Sequence, residues 1–438
     1  MISLSRGRRR LACGTSTTGE PPVATVGLAL LLIAVVAVSA KAQKDKPLKI
    51  AAVLPAHYHN SHADVIVSRL MQGYNLDDRA PYPNLELVSL YVDQFPENDK
   101  SRQLAKKYGV PICDTVEESL TLDGDMLAVD GVLLIAEHGK YPESETGSIQ
   151  YPKRRLFGEI VDVFRDSDRV VPVFSDKHLS DNWKDAKWIY DTAQELKIPM
   201  MAGSSLPVLW RRPAERIEQA EDIKEIVAVS YHRLDTYGFH ALEMVQTLVE
   251  QRKQSKGYGE IGIARVQCLT GDAVWEAGER GVYDKQLLQQ SLDRLPRQLW
   301  RKRTIREAVK NPALFHIEYR DGLKANILTL NGAVGEWATA WRRSDGKTRS
   351  TYFHTQEARP FTHFEHLLRG VEKMMHTGEP TWPVERTLLT TGALDALLVS
   401  RQQGGKQLET PWLQIEYQND YEWQQPPEPP EDRPLNGQ

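Results

Sequence analysis

The chain has 438 residues, 41% hydrophobic and 26% charged, which is enough for two domains of ordinary size and points to a globular, soluble organisation. A formal net charge of −4 excludes a general electrostatic pull toward nucleic acid or anionic membrane. The 3 cysteines include no Cys-x-x-Cys pair, which excludes a disulfide scaffold and a thiolate zinc site.

Arg6, Arg8, Arg9 and Arg10 precede an apolar run from Val23 to Ala40, and Ala40-Lys41-Ala42 offers a small-x-small cleavage site. That order predicts a signal peptide or N-terminal anchor over residues 1–42, hence an exported protein, periplasmic or extracellular. The run approaches bilayer-spanning length, so an uncleaved anchor stands beside a cleaved signal. Arg8-Arg9-Arg10-Leu11 resembles a twin-arginine export signal. Residues 43–48 read as a linker.

Lys49 to Leu54 predicts a first strand bounded by Pro55. Val65, Ile66, Leu70 and Met71 recur with helical spacing behind a cap at Asn60 or Ser61. Leu85 to Val92 predicts a strand ending at Asp93, followed by helices at Ser101 to Tyr108 and Thr115 to Leu120. Gly131 to Ala136 is an apolar strand bounded by Glu137, Leu156 to Phe164 a helix, and Val171 to Phe174 a buried strand. Asp176-Lys177-His178 sits at that strand's tip, and a helix with Trp183, Ala186, Ile189 and Leu196 on one face leads to an apolar run at Ile198. Apolar strands alternating with helices predict a parallel sheet covered on both faces, over residues 49–207. Ligands gather at the carboxyl ends of such strands, which makes Lys177 the foremost candidate for chemistry. The plain alternative is a solvated loop lysine.

From 208 to 420 the pattern changes. Ile223 to Tyr231, Glu260 to Thr270, Ala313 to Tyr319, Lys324 to Leu330, Glu336 to Arg342 and Pro411 to Tyr417 predict strands. Asp321-Gly322, Asn331-Gly332 and Asp345-Gly346 are turns, and Tyr237 to Glu250, Phe361 to His376 and Thr387 to Gln403 are helices. This predicts a mostly antiparallel sheet with a few helices. Residues 421–438, rich in Pro and Glu, predict a disordered tail.

Asp130-Gly-Val-Leu-Leu-Ile-Ala136, Phe174-Ser-Asp-Lys-His-Leu179, Gly238-Phe-His240 and the stretch from Gly378 through Gly404-Gly405 to Tyr417 together resemble the glucose–fructose oxidoreductase/inositol dehydrogenase (Gfo/Idh/MocA) family. The resemblance implies an α/β chain: an N-terminal Rossmann-like parallel-sheet domain, then an α+β domain with a large, mostly antiparallel open sheet. It implies NAD(P)-dependent oxidation or reduction of a sugar or sugar-derived hydroxyl, with NAD or NADP as cofactor and no metal. His240 would be the base and Lys177 the polarising group. Leu54, Ala56, His57, Asp93, Ala136, Glu137 and Asp176 would lie along the cofactor, and His178 and Tyr237 at the substrate. A hydroxyl loses a proton as hydride leaves, so a base near working pH is needed, and histidine fits without tuning. The implied partners are a small carbohydrate and, because the family's open sheet commonly pairs subunits, a second copy of the chain. No nucleic acid is implied, and the membrane only through the N-terminal segment.

The chain departs from that family after its first strand. A glycine-rich turn is expected where phosphates rest on a helix N-terminus, and Leu54-Pro-Ala-His-Tyr-His-Asn-Ser-His-Ala63 contains no glycine. Two alternatives therefore stand beside the dehydrogenase: a carbohydrate-binding or scaffolding relative that has lost dinucleotide binding, and a non-redox hydrolase or lyase using Lys177 and His240. His57, His59 and His62 raise metal or anion ligation, against the plain alternative of a polar loop with a helix cap. His363 and His366 share a helix face, which is ordinary helix chemistry.

Overall fold

The computed structural model describes residues 46–300, 303–356 and 358–428. The signal or anchor expected over residues 1–42 lies outside them, as does the end of the expected tail. No helix among the described residues is long and apolar enough to cross a membrane.

The first lobe is a 6-stranded sheet in which all neighbours run parallel. Its strands are β1 (Leu48–Leu54), β2 (Leu85–Val92), β3 (Ile112–Cys113), β4 (Gly131–Leu134), β5 (Val173–Asp176) and β6 (Met200–Gly203), in the order β3-β2-β1-β4-β5-β6. The connecting helices are α1 (His62–Ile66), α2 (Ser68–Gln72), α3 (Ser101–Tyr108), α4 (Val116–Thr121), α5 (Lys153–Asp166) and α6 (Trp183–Glu195). Strand β1 shows why the sheet is covered twice: Ile50, Ala52 and Leu54 join one core while Ala51 and Val53 join the other. Helix starts follow local chemistry: Thr115 and Glu118 form a capping box on α4, and Asn182 caps α6. Strand order reverses between β1 and β4, opening a crevice at their carboxyl ends.

The second lobe is an 8-stranded sheet built on β7 (Trp210–Arg212), β8 (Ile223–Ser230), β11 (Ile263–Thr270), β12 (Ala313–Tyr319), β13 (Lys324–Thr329), β14 (Trp337–Arg343), β15 (Thr348–His354) and β16 (Leu408–Glu409). A small hairpin, β9 (Lys253–Gln254) with β10 (Gly257–Tyr258), stands apart. Pairing is antiparallel except between β8 and β13, so the sheet is mixed and mostly antiparallel. Helix α7 (Thr236–Val249) covers one face, and α8 (Asp272–Glu279), α9 (Lys285–Arg294) and α10 (Ile305–Ala308) cover the other. Strand β8 alternates accordingly, Ile226 and Ala228 toward α7, Val227 and Val229 toward α9. Helix α11 (His363–Thr377) returns to the first lobe, where Phe364, Leu367, Val371 and Met374 pack with Ile50 and Leu54. Helix α12 (Glu385–Gln402) then lies beside α7.

Two expectations are corrected. Pro411 to Tyr417 is not a strand: Pro411–Leu413 is a 3-10 turn, because proline offers no N–H to a ladder, and the short edge strand is β16 just before it. The start of the expected tail is packed, not disordered. Trp423 is buried and donates its indole N–H to the Leu209 carbonyl at 3.0 Å, and Gln425 accepts from the Arg211 N–H at 3.0 Å. Cys113 and Cys268 are both free thiols.

Candidate functional site

A cavity of about 400 Å³ opens between the carboxyl ends of the parallel strands and α7. On the first-lobe side it is organised by Glu137, just beyond β4 and nearly fully buried. One of its oxygens lies 3.6 Å from Lys177 Nζ, the other 3.5 Å from Lys153 Nζ and 4.0 Å from His178 Nε2. Burial alone would raise this carboxyl, but the charges of Lys177, Lys153 and His178 outweigh it and hold Glu137 well below the usual carboxylate range. Lys153 donates to the backbone carbonyls of Asp176 at 3.0 Å and Lys177 at 2.6 Å, which fixes the β5 tip in place.

The opposite wall comes from α7 and the large sheet. Tyr237 and His240 lie one helical turn apart, and Trp337 stacks on Tyr237 with ring centres 5.6 Å apart. His240 is kept well below the usual histidine range by burial and by the Lys177 charge. His138 is pushed down to about 3, chiefly by burial, and His363 on α11 is likewise held low by burial and Arg69. All three line the cavity as neutral rings, and His138 Nε2, His240 Nδ1 and His363 Nδ1 are buried without a hydrogen-bond partner among the described residues. Buried polar atoms are mostly hydrogen-bonded in folded proteins, and His57 Nδ1, His178 Nδ1 and His366 Nε2, which do not line the cavity, are likewise without a partner among the described residues. His138 also has a positive φ of 73°, an uncommon conformation outside glycine.

The three histidines after β1 part company. His57 is buried against Ser68 at 3.2 Å, His59 is exposed, and His62 lines the cavity with its Nδ1 2.5 Å from Asp176 Oδ2. Among the described residues no group of three His, Cys, Asp or Glu side chains is placed to hold a metal ion.

No family model and no curated protein matches the chain. Solved structures do match. GenD2 from gentamicin A biosynthesis, in complex with NAD, aligns with a TM-score of 0.52 at 13% identity, over 83% of this chain and 96% of its own. Apo scyllo-inositol dehydrogenase from Lactobacillus casei gives 0.52 at 10% identity, over 83% and 98%. A probable dehydrogenase from Thermotoga maritima gives 0.51 at 12% identity, over 84% and 100%. The chain has the fold of the Gfo/Idh/MocA family.

A dinucleotide bound to a sheet of this kind rests its phosphates on the helix after β1 and its ribose on the end of β2. In this chain the α1 terminus already holds an anion. Asp64, fully buried, accepts from the Asn60 N–H at 2.8 Å, Arg359 at 2.7 Å, Ser68 Oγ at 3.2 Å and Lys100 at 3.4 Å. Burial would raise its carboxyl; the His57 contact, Arg359 and the Asn60 N–H override that and hold it well below the usual range. Asp93, at the end of β2, is spent too: Tyr91 donates to it at 2.9 Å, Tyr141 at 2.7 Å and Arg155 at 2.5 Å. Asp64 thus occupies the α1 terminus where phosphates would rest, and Asp93 at the end of β2 is hydrogen-bonded within the chain while staying partly exposed.

Of the positions singled out from sequence, Glu137, Lys177, Tyr237 and His240 meet at the cavity. Leu54, Ala56, His57 and Ala136 are fully buried and present no side chain to it. Asp176 touches it only through His62, and His178 lies behind the wall, its ring 5.5 Å from Phe239. His138 and His363 have no sequence signal, because one sits in a long loop and the other on an ordinary amphipathic helix.

Proposed function

We propose that the protein is a divergent Gfo/Idh/MocA relative that holds a small carbohydrate or polyol in this cavity and moves a proton on one of its hydroxyls. The observation that carries the reading is the set of neutral, buried, unpartnered imidazoles of His138, His240 and His363. A neutral imidazole offers one donor and one acceptor, the complement of a hydroxyl group. Leaving such an atom unpaired costs about 1–3 kcal/mol, and a ligand rich in hydroxyls removes that penalty. The stacked Tyr237–Trp337 pair adds an apolar face for sugar C–H groups. The Lys177 ammonium steadies negative charge on the ligand oxygen. His240, held well below its usual range, is a weak proton acceptor near neutral pH and is suited to positioning instead of the base role the resemblance implied. Likeness in fold to an inositol dehydrogenase supports a polyol ligand. The positive-then-apolar start of the sequence supports export.

A second reading is favoured by the fold shared with GenD2, which is in complex with NAD: oxidation or reduction of that same hydroxyl. The filled α1 terminus opposes it.

The deciding experiment is calorimetry of the purified protein with monosaccharides, inositols, NAD and NADP. At least one polyhydroxylated compound should bind saturably, about tenfold more weakly in His240→Ala, and neither dinucleotide should bind at millimolar concentration. Absence of any polyol binding removes the proposal, and saturable dinucleotide binding restores the dehydrogenase.

A further inference from the structure

We propose that His62, oriented by the buried Asp176 carboxylate, is the proton acceptor of this cavity. The inference rests on the polyol reading for its ligand but on separate geometry for its chemistry. His62 is the first residue of α1, where the Ser61 cap fixes the backbone by accepting from the Asp64 N–H at 3.2 Å. Its ring is clamped edge-on between His138, 5.2 Å away, and Phe364, 5.1 Å away. Its Nδ1 meets Asp176 Oδ2 at 2.5 Å, while Nε2 has no partner among the described residues and belongs to a side chain that is 14% exposed and lines the cavity.

Asp176 is the right kind of anchor. It is fully buried, its backbone carbonyl is tied down by Lys153, and His62 is the side chain that its carboxylate meets, Oδ1 having no partner among the described residues. A carboxylate on Nδ1 holds a neutral imidazole with its proton on that nitrogen and leaves Nε2 as a bare acceptor. The same carboxylate then faces the positive ring once a proton has been taken. Among the described residues no carboxylate lies within ion-pair distance of His138, His240 or His363, which separates their role from that of His62. In the step, the ligand O–H bond breaks and its electron pair stays on oxygen. The Nε2 lone pair forms the new N–H bond, the Nδ1 proton stays shared with Asp176, and the Lys177 ammonium balances the oxyanion. No oxidant or reductant enters.

Asp176 is thus a positioning residue, and its test reads the ring instead of turnover. In the ¹⁵N-labelled full chain without ligand, His62 should show a protonated Nδ1 and an unprotonated Nε2 when neutral. Diethyl pyrocarbonate should carbethoxylate His62 alongside the exposed His59. Asp176→Asn should transfer the proton to Nε2 and slow carbethoxylation of His62 by about tenfold, with His59 unchanged as internal control. A wild-type His62 protonated on Nε2 overturns the proposal, and so does equal reactivity in the folded variant. If Asp176→Asn does not fold, the wild-type tautomer decides alone. Because no sugar is present, failure of polyol binding in the calorimeter leaves this result standing, and failure here leaves the polyol reading standing.

Discussion

Glu137 carries the charge balance of the first-lobe wall, since two lysines and a histidine converge on it with almost no solvent to share. Removing one member of a buried ionic group leaves the others uncompensated, which typically costs about 3–5 kcal/mol. Glu137→Gln should lower unfolding stability by about that amount in urea denaturation, and a loss under about 1 kcal/mol would show that water reaches the lysines. The pH dependence follows in sign. A carboxyl held below its unfolded value stabilises the fold above that value, roughly pH 4.3 for glutamate, and loses the contribution as pH falls. Wild type should therefore weaken between about pH 5 and pH 3 more steeply than Glu137→Gln. Sequence alone brings Lys177 forward, because a lysine at a strand tip is a local feature, whereas His240 comes forward only through the resemblance of Gly238-Phe-His240 to the family's element. Glu137 reads only as an acid after a strand, since its partners arrive from α5 and the β5 tip once the sheet closes. The His62–Asp176 contact joins residues 114 apart, and no local pattern encodes it.

At the scale of elements, the segment from His138 to Tyr151, between β4 and α5, is tied to both lobes. Tyr141 reaches Asp93 and the Lys140 N–H donates to Gln94 at 2.9 Å on the first lobe. Arg401 of α12 donates to the Thr146 carbonyl at 2.6 Å, and Arg233 lies 3.6 Å from Glu143. Gly147 has φ 82°, and a Cβ there would stand 2.7 Å from the Arg401 guanidinium, so glycine lets the arginine approach. A charge-assisted bond to a backbone carbonyl holds a segment locally more than it holds the fold. Arg401→Ala should raise amide hydrogen exchange over residues 143–149 by about tenfold, while global stability moves by less than about 1 kcal/mol. Unchanged exchange would mean the segment is held by the first lobe alone. Sequence reasoning read the strands and helices around this segment because their periodicities are regular. It gave α8 and α9 no element, since a helix laid on the outer face of a sheet carries the same mixed Leu/Gln pattern as a surface segment.

Those unforeseen helices change the surface that the large sheet offers to a second copy of the chain. The two-lobe plan is legible from the change from near-continuous apolar strands to alternating ones, and the resemblance adds an open sheet face that pairs subunits. Here that face is not open. Leu287, Leu288 and Leu292 of α9 and Val274 of α8 pack onto Val227, Val229, Leu328 and Ala340, so the same chain covers both faces of the large sheet. The remaining large exposed apolar side chains among the described residues, Tyr82, Phe95, Met126, Leu299 and Trp412, are scattered along the chain. A stable homodimer typically buries about 800 Å² per partner around an apolar centre, and the apolar sheet face that would serve is packed under α8–α10. Light scattering at micromolar concentration should therefore give a monomer. Leu287→Asp with Leu292→Asp places two charges against the sheet, and releasing the helices should expose the apolar face and drive concentration-dependent association. A native dimer whose mass is unaffected by those substitutions would place the interface elsewhere; a native dimer dissolved by them would show that α8–α10 form the contact instead of blocking it.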